Sequence, residues 1–235
     1  MKKGVFVNVG LVFAILLLSM LTFSCMKLLN IQIPDGVYVV GDWNGWVPTE
    51  RDRMEKEGDI YTFELPQESL NFFQSSAGKD FLVGKYKVIY KSGGRTIVTS
   101  DIYVWKDKIA GEKIKIYVDP SKMVNGQATG VGDSEKESGD WYIAGTFNNW
   151  KLEKMTYNPE SGAYVLEKEV DLANATVEFK IARSTDWKPY ELQYDGKSYN
   201  AGYGVNARYV APKTGQVRLK FTFDPRFSIL KCEVK

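Results

Sequence analysis

Two tryptophans and a lysine near the C-terminus have residue types and spacing that could bind a sugar. Trp150 follows a turn, Lys180 lies on a predicted strand, and Trp187 follows Lys180 by seven residues. Strand alternation places Phe179 in the core, so we expect Lys180 to face solvent on the opposite side. A flat indole complements the polarised C–H face of a pyranose ring, and polar side chains can hydrogen-bond its hydroxyls. The pattern therefore indicates a carbohydrate-binding surface.

Each of these residues also has an ordinary structural interpretation. A tryptophan in a β protein often belongs to the core, which is what we expect of Trp141 inside its strand. A strand lysine is usually a solvated charge. The spacing of the tyrosines after Trp187 does not decide whether they line the same groove or pack in the core. They are Tyr190, Tyr194, Tyr199 and Tyr203.

The composition argues against catalysis. The chain has no histidine, so the commonest general base and metal ligand are missing. Its two cysteines cannot build a zinc site. The sequence contains no nucleophile elbow and no phosphate-binding loop. A glycosidase needs only two of the 29 carboxylates, but a module of about 90–100 residues rarely makes a deep cleft. We expect no enzyme activity, no cofactor and no metal. A formal charge of +2 also predicts no nucleic-acid partner.

The turn that carries Trp150 has an earlier counterpart. The stretches WYIAGTFNNW (141–150) and VYVVGDWNGW (37–46) both consist of a short strand, a glycine, an asparagine-containing turn and a tryptophan. Further matches follow in order, including Tyr61 with Tyr164, and helical periodicity is absent. The sequence therefore predicts an all-β protein, with two tandem immunoglobulin-like β-sandwiches after an N-terminal signal or anchor segment.

These patterns divide the chain into four segments. The first sandwich is predicted over 31–120 and the second over 141–235. Between them, 121–140 is rich in Gly, Ser, Lys and Glu, which favours a flexible linker. Residues 1–25 form the predicted signal segment.

The N-terminus predicts export and attachment to a membrane. Lys2 and Lys3 precede a mainly apolar run, Val5–Phe23, as in a secretory signal. The residues before Cys25 are similar to a bacterial lipoprotein cleavage box, in which Cys25 would carry the lipid. An uncleaved anchor is the alternative. Both place the protein outside the cytoplasm, in the periplasm or at the cell surface.

The motifs GTFNNW, FKI and DW resemble the glycogen- and starch-binding modules of the immunoglobulin-like (E-set) type. Such modules occur on the β subunit of the AMP-activated protein kinase, and the motifs are also similar to surface starch-binding lipoproteins of gut bacteroidetes. The resemblance implies that Trp150, Lys180 and Trp187 contact α-glucan, with Asn206 as a further contact. It implies non-catalytic binding of starch, glycogen or maltooligosaccharides.

The first module matches this pattern only in part. Trp46 and Lys87 have the expected positions, but the residue seven places after Lys87 is Gly94. Trp43 and Trp105 are candidates for a relocated platform. The alternative function is that of a structural or protein-interaction envelope lipoprotein that uses the same fold without sugar, because sandwiches of this type host many functions.

Overall fold

A computed structural model describes most of the chain. The described residues are 33–75, 78–185, 187, 192–201 and 204–235. The predicted signal segment with Cys25 lies outside this part, as do Tyr190 and Tyr203. No helix in the described ranges is long and apolar enough to cross a membrane.

The N-terminal half forms two antiparallel sheets. One has the order β1-β5-β4, with β6 and β7 also paired to β5, and the other has the order β2-β3-β8-β9. The strands are β1 (Gly36–Val40), β2 (Glu55–Glu57), β3 (Ile60–Pro66), β4 (Phe73–Ser75), β5 (Gly78–Ser92), β6 (Arg95–Val98), β7 (Ile102–Trp105), β8 (Lys113–Val118) and β9 (Val131–Asp133).

The C-terminal half also forms two antiparallel sheets. One has the order β11-β10-β14-β15-β16, with β17 paired to β14, and the other has the order β12-β13-β18-β19. The strands are β10 (Tyr142–Gly145), β11 (Glu153–Lys154), β12 (Thr156–Asn158), β13 (Ala163–Leu172), β14 (Thr176–Ala182), β15 (Leu192–Tyr194), β16 (Tyr199–Ala201), β17 (Ala207–Val210), β18 (Gly215–Asp224) and β19 (Ile229–Val234).

Helical structure is short wherever the chain is described. A single α-helical turn, α1 (Ser134–Glu137), follows β9. The 3₁₀ turns are Asp42–Asn44, Glu50–Asp52, Gln67–Ser69, Lys106–Lys108 and Thr146–Asn148. The all-β fold class is confirmed.

Alternating side chains build the core of the C-terminal half. On β18, Leu219, Phe221 and Phe223 are fully buried, while the residues between them are not. The expectation that Trp141 is a core residue is confirmed, since it is fully buried with its ring centroid 4.7 Å from that of Phe223. Tyr194 and Tyr199 are also buried beside Phe223. These two tyrosines therefore pack in the core and do not line a groove.

Strand register relates the two halves as the sequence matches predict. Tyr61 on β3 pairs with Val118 on β8, and Tyr164 on β13 pairs with Phe223 on β18. Each partner directly precedes an Asp-Pro pair in the sequence. The lysines of the two halves also correspond, because Lys87 and Lys180 each pair with the residue before the turn glycine.

The segment 121–140, predicted to be a flexible linker, is instead folded. Met123, Ala128 and Val131 are buried, and β9 pairs with β8 of the N-terminal half. Glu135 and Lys136 on α1 are also buried. The prediction was wrong because most of the few apolar residues are used in packing and the buried charged ones are paired, which composition does not reveal.

Four buried charged side chains connect this segment to both halves, and we call them the junction cluster. They are Asp133, Glu135, Lys136 and Arg183, all at most 6% exposed. Lys136 Nζ lies 2.9 Å from Asp133 Oδ2 and 3.2 Å from Glu135 Oε2. Arg183 Nη1, directly after β14, lies 2.6 Å from Glu135 Oε1. Two acids and two bases therefore neutralise one another in the interior.

The N-terminal half holds the other side of this cluster. Tyr86 on β5 donates its hydroxyl proton to Asp133 Oδ2 at 2.6 Å. Lys136 Nζ donates to the carbonyl oxygen of Tyr103 on β7 at 2.7 Å. Strands of one half and the end of β14 in the other are thus bonded to the same short segment.

Candidate functional site

The turn after β10 fixes the position of Trp150. Gly145 N donates to Asn148 Oδ1 at 2.9 Å, so the asparagine side chain closes the 3₁₀ turn. Asn149 and Trp150 then have φ values of 54° and 59°, in the left-handed region. Trp150 N donates to the carbonyl oxygen of Gly145 at 2.9 Å. The tryptophan is therefore held by its backbone at the end of the strand.

The N-terminal half repeats this turn in detail. Gly41 N donates to Asn44 Oδ1 at 3.0 Å, and Trp46 N donates to the carbonyl oxygen of Gly41 at 2.9 Å. Gly45 and Trp46 have φ values of 60° and 64°. In both halves, two consecutive residues have left-handed backbone conformation, and the second of them is a tryptophan.

Positive φ values single out the tryptophans of the candidate site. In the part of the chain that is described, five non-glycine residues have positive φ, and three of them are Trp46, Trp150 and Trp187. Left-handed backbone is an outlier for a bulky residue, and such strain is concentrated at functional sites. Glycine would satisfy these turns without strain. The backbone alone would favour glycine at these positions, so the indole side chain must account for the presence of tryptophan.

The indole rings are accessible to different degrees. Trp150 is 36% exposed, and Trp187 and Trp46 are half-buried. None of the three belongs to the hydrophobic core cluster. Trp187 lies five residues after β14 ends. These rings remain available for contact with a ligand.

Lys180 lies beside the Trp150 turn. We expected its side chain to face solvent, but the structure buries it. It pairs with Ala144, the residue before the turn glycine, and is only 8% exposed. Its ammonium donates a hydrogen bond to the carbonyl oxygen of Gly204. Burial lowers the pKa of Lys180, and nearby Asp195 opposes that shift. Alternation predicted the correct face, but residues from much later in the chain cover it.

Asn206 joins the same sheet face through a residue that the sequence did not suggest. Asn206 Nδ2 donates to Glu178 Oε2 at 3.1 Å. The backbone N–H of Glu178 donates to Thr146 Oγ1 at 3.2 Å. Glu178 precedes Lys180 by two residues on β14, so alternation places both on one face. That spacing was the signal that could have identified it. We call Trp150, Glu178, Lys180 and Asn206 the C-terminal platform.

The N-terminal half brings Trp46 and Lys87 together, as the partial match predicts. Lys87 Nζ lies 5.9 Å from the Trp46 ring centroid, and Lys85 Nζ lies 5.2 Å from it. Both ammonium groups lie 3.2 Å from a carboxylate oxygen of Asp101. Trp46 Nε1 donates to Asp42 Oδ1 at 2.8 Å. The sequence did not suggest Lys85, although it precedes Lys87 by two residues on β5.

The two tryptophans proposed as a relocated platform behave differently. Trp105 is fully buried, with its ring centroid 6.0 Å from that of Phe81, so it is a core residue and cannot form a platform. The prediction for Trp105 was wrong because β7 turns this position inward. Trp43 is partly exposed and remains a candidate for a relocated platform.

Comparison with known proteins does not assign the chain to a family. The chain matches no protein-family model, and no curated protein matches it. In the described ranges, no three His, Cys, Asp or Glu side chains are grouped so that they could hold a metal ion.

Proposed function

We propose that this protein binds α-glucan without catalysis, through the C-terminal platform and Trp187. One observation carries the proposal. A tryptophan that is 36% exposed is kept in a left-handed turn where glycine would be unstrained, beside a sheet face that carries Lys180 and Asn206. A strained aromatic with an open face is best explained by a ligand that stacks on it.

The polar groups of the platform would complete such a site. A pyranose ring stacked on Trp150 would present its hydroxyls at the edge, where amide and carboxylate groups can bond them. Asn206 and Glu178, already 3.1 Å apart, supply both donors and acceptors. The Lys180 ammonium binds the carbonyl oxygen of Gly204, two residues before Asn206. In this proposal Lys180 positions the loop that carries Asn206.

A small aromatic platform supports modest affinity. We expect a binding free energy of about −4 to −7 kcal/mol, which corresponds to a Kd between roughly millimolar and ten micromolar. The Trp46 cluster of the N-terminal half would contribute less, because the lysines beside its ring are already paired with Asp101.

Retention on an amylose or glycogen gel tests the proposal. Trp150→Gly removes the indole and relieves the left-handed strain, so the fold should survive while retention falls sharply. Trp187→Gly should act in the same way. The matched control is Trp46→Gly, which changes the equivalent turn of the other half and should leave most of the retention. Undiminished retention in both Trp150→Gly and Trp187→Gly would refute the site.

A non-sugar function has one observation in its favour. Lys180 is 8% exposed and already bonded, so it offers little surface to a sugar. In that alternative the sheet face is used for protein contacts in the cell envelope. Tryptophan fluorescence titrated with maltoheptaose separates the two, because only a sugar stacked at this site gives an emission change that is lost in Trp150→Gly.

We also propose that the chain is attached to a membrane outside the cytoplasm through Cys25. The support is the charged start and apolar run of the sequence. Metabolic labelling with a palmitate analogue should mark the protein, and Cys25→Ser should abolish the label. Labelling that persists in Cys25→Ser would contradict lipidation at this residue.

A further inference from the structure

A groove of about 690 Å³ lies between the turn after β1 and strand β3 in the N-terminal half. Trp43, Phe63 and Leu65 form its apolar wall, and Glu50 and Arg51 are among the polar residues at its rim. Ligand sites commonly have this size and this combination of an apolar wall with a few polar groups. The groove uses none of the residues of the C-terminal platform.

A buried carboxylate orients Trp43 in this groove. Trp43 Nε1 donates to Asp52 Oδ1 at 3.2 Å, and Asp52 is only 6% exposed. The other carboxylate oxygen of Asp52 accepts from Thr49 N at 2.9 Å and from Thr49 Oγ1 at 2.7 Å. An indole fixed in this way is preorganised for stacking, because no rotamer freedom is left to lose on binding.

The equivalent position of the C-terminal half shows what packing alone requires. There the residue two places after the turn glycine is Phe147, whose ring centroid lies 4.5 Å from that of Phe221. A phenylalanine with no hydrogen-bonding group thus covers the core in that half. Covering the core requires only an aromatic ring, as Phe147 shows. The larger indole of Trp43 and its hydrogen bond to Asp52 are not needed for that, which points to a role in binding.

A neighbouring groove of about 440 Å³, lined by residues of β2, β3 and β8, shares Arg51 and Phe63 with the first. The two together suit a chain of several sugar units better than a single ring.

Charge along this second groove is nearly balanced, because four cations and three carboxylates line it. Three of the four cations lie beside carboxylates, so a polyanion or a polycation would find little excess of opposite charge. Paired charges still offer both donors and acceptors to hydroxyl groups. The pairs are Arg53 with Glu50 at 3.5 Å, Lys113 with Glu64 at 2.7 Å and Lys115 with Glu57 at 3.5 Å.

We propose that this groove is a second carbohydrate site, which binds a neutral linear oligosaccharide by stacking on Trp43. The site stands in the other half of the protein and on different residues, so it goes beyond the proposed function and does not depend on it. The hydroxyls of the oligosaccharide would bond to the rim and to the ion pairs of the neighbouring groove.

The test uses the full chain with Trp150→Gly and Trp187→Gly, which removes the C-terminal indoles. Calorimetric titration of this double variant with maltoheptaose and with cellohexaose should show saturable binding of at least one of them. Adding Ser69→Trp, which fills the groove without removing a core residue, should weaken that binding at least tenfold. Thr96→Trp, an exposed site on β6, is the matched control and should leave the binding unchanged.

A milder variant tests the orientation of the indole. Trp43→Phe keeps an aromatic ring over the core but cannot bond to Asp52, so the double variant carrying it should bind several-fold more weakly. Circular dichroism and thermal melting establish that each variant is folded.

Two results would overturn this proposal: no binding of either sugar by the double variant, or equal binding with and without Ser69→Trp. If instead the C-terminal platform is the wrong assignment, the wild type and the double variant bind equally, and Ser69→Trp still removes the binding. The failures of the two proposals are therefore distinguishable.

Discussion

At Trp150 the backbone and the side chain have opposing preferences. A left-handed conformation costs an L-residue about 1–2 kcal/mol relative to glycine. The indole is 36% exposed and lies outside the core cluster, so its burial contributes less than that of a core tryptophan. Trp46 stands in the same position, with φ at 64°. Stability alone does not favour tryptophan at either position.

Replacing these tryptophans should therefore change stability little. We expect Trp150→Gly and Trp46→Gly to keep the free energy of unfolding within about 1 kcal/mol of the wild type, because relief of strain offsets lost contacts and the added chain entropy. Trp141→Ala, at a fully buried position, should cost about 3–5 kcal/mol. Urea denaturation measures all three. A loss above about 2 kcal/mol in Trp150→Gly would mean that the indole is structural.

Cys232 provides a residue-scale prediction about reactivity. Burial, with a smaller effect of Glu233, raises the pKa of the Cys232 thiol to about 12. At pH 8 only about one thiol in 10⁴ is then ionised, and the thiolate is the reactive form. Iodoacetamide should label Cys232 slowly in the folded protein and rapidly in urea. Peptide mapping distinguishes Cys232 from Cys25, and rapid labelling of Cys232 without urea would contradict the raised pKa of this partly buried thiol.

At the scale of elements, the sequence predicted the features that depend on neighbouring residues. It did not predict those that depend on residues distant in the chain. Glycine and asparagine predicted the two turns, and alternation predicted the core face of β18, because both depend on neighbouring residues. The cover over Lys180 could not be predicted, since Gly204 lies 24 residues away in sequence. The folding of 121–140 was missed for a similar reason. Its charges are satisfied by Tyr86, Tyr103 and Arg183, which come from other strands.

The turn that carries Trp150 depends on the carboxylate of Glu153, which lies three residues after Trp150 on β11. Asn148 Nδ2 donates to Glu153 Oε1 at 2.9 Å and to the carbonyl oxygen of Lys151 at 2.7 Å. Lys168 on β13 forms an ion pair with the same carboxylate oxygen of Glu153. Glu153 thus links the turn to the opposite sheet.

This link predicts a pH dependence. Burial alone would raise the pKa of Glu153, but hydrogen bonds from Lys168 and Asn148 outweigh it and the pKa is lowered. The folded pKa lies below the unfolded value, so the stabilisation is present above about pH 4.5 and is lost as pH falls through the folded pKa. Glu153→Gln should unfold more readily at pH 7 and lose less stability between about pH 5 and pH 3.

The matched control for that experiment is Glu160→Gln. Glu160 is exposed in the turn after β12, and its replacement should leave both the stability and its pH profile unchanged. Denaturant melts of both variants across this pH range supply the comparison. Identical profiles for Glu153→Gln and the wild type would show that the carboxylate does not hold the turn.

At the scale of the whole molecule, the junction cluster makes the two halves interdependent. Its charged groups are almost fully buried and lie within 2.6–3.2 Å of their partners. A buried ion pair adds little net stability, yet removing one partner is severe because the other charge remains in the interior. Separating the halves would leave each of them with unpaired buried groups. The described unit should therefore unfold as one.

Arg183→Met tests this interdependence, because it leaves Glu135 without its guanidinium partner. We expect a single unfolding transition whose free energy falls by about 3–5 kcal/mol, whereas Lys113→Met, in an exposed pair 2.7 Å long, should change little. Burial already raises the pKa of Glu135. Without Arg183 this carboxyl should take up a proton more readily, so the loss should shrink as pH falls. Two separate transitions, or equal effects of the two substitutions, would show that the halves fold independently.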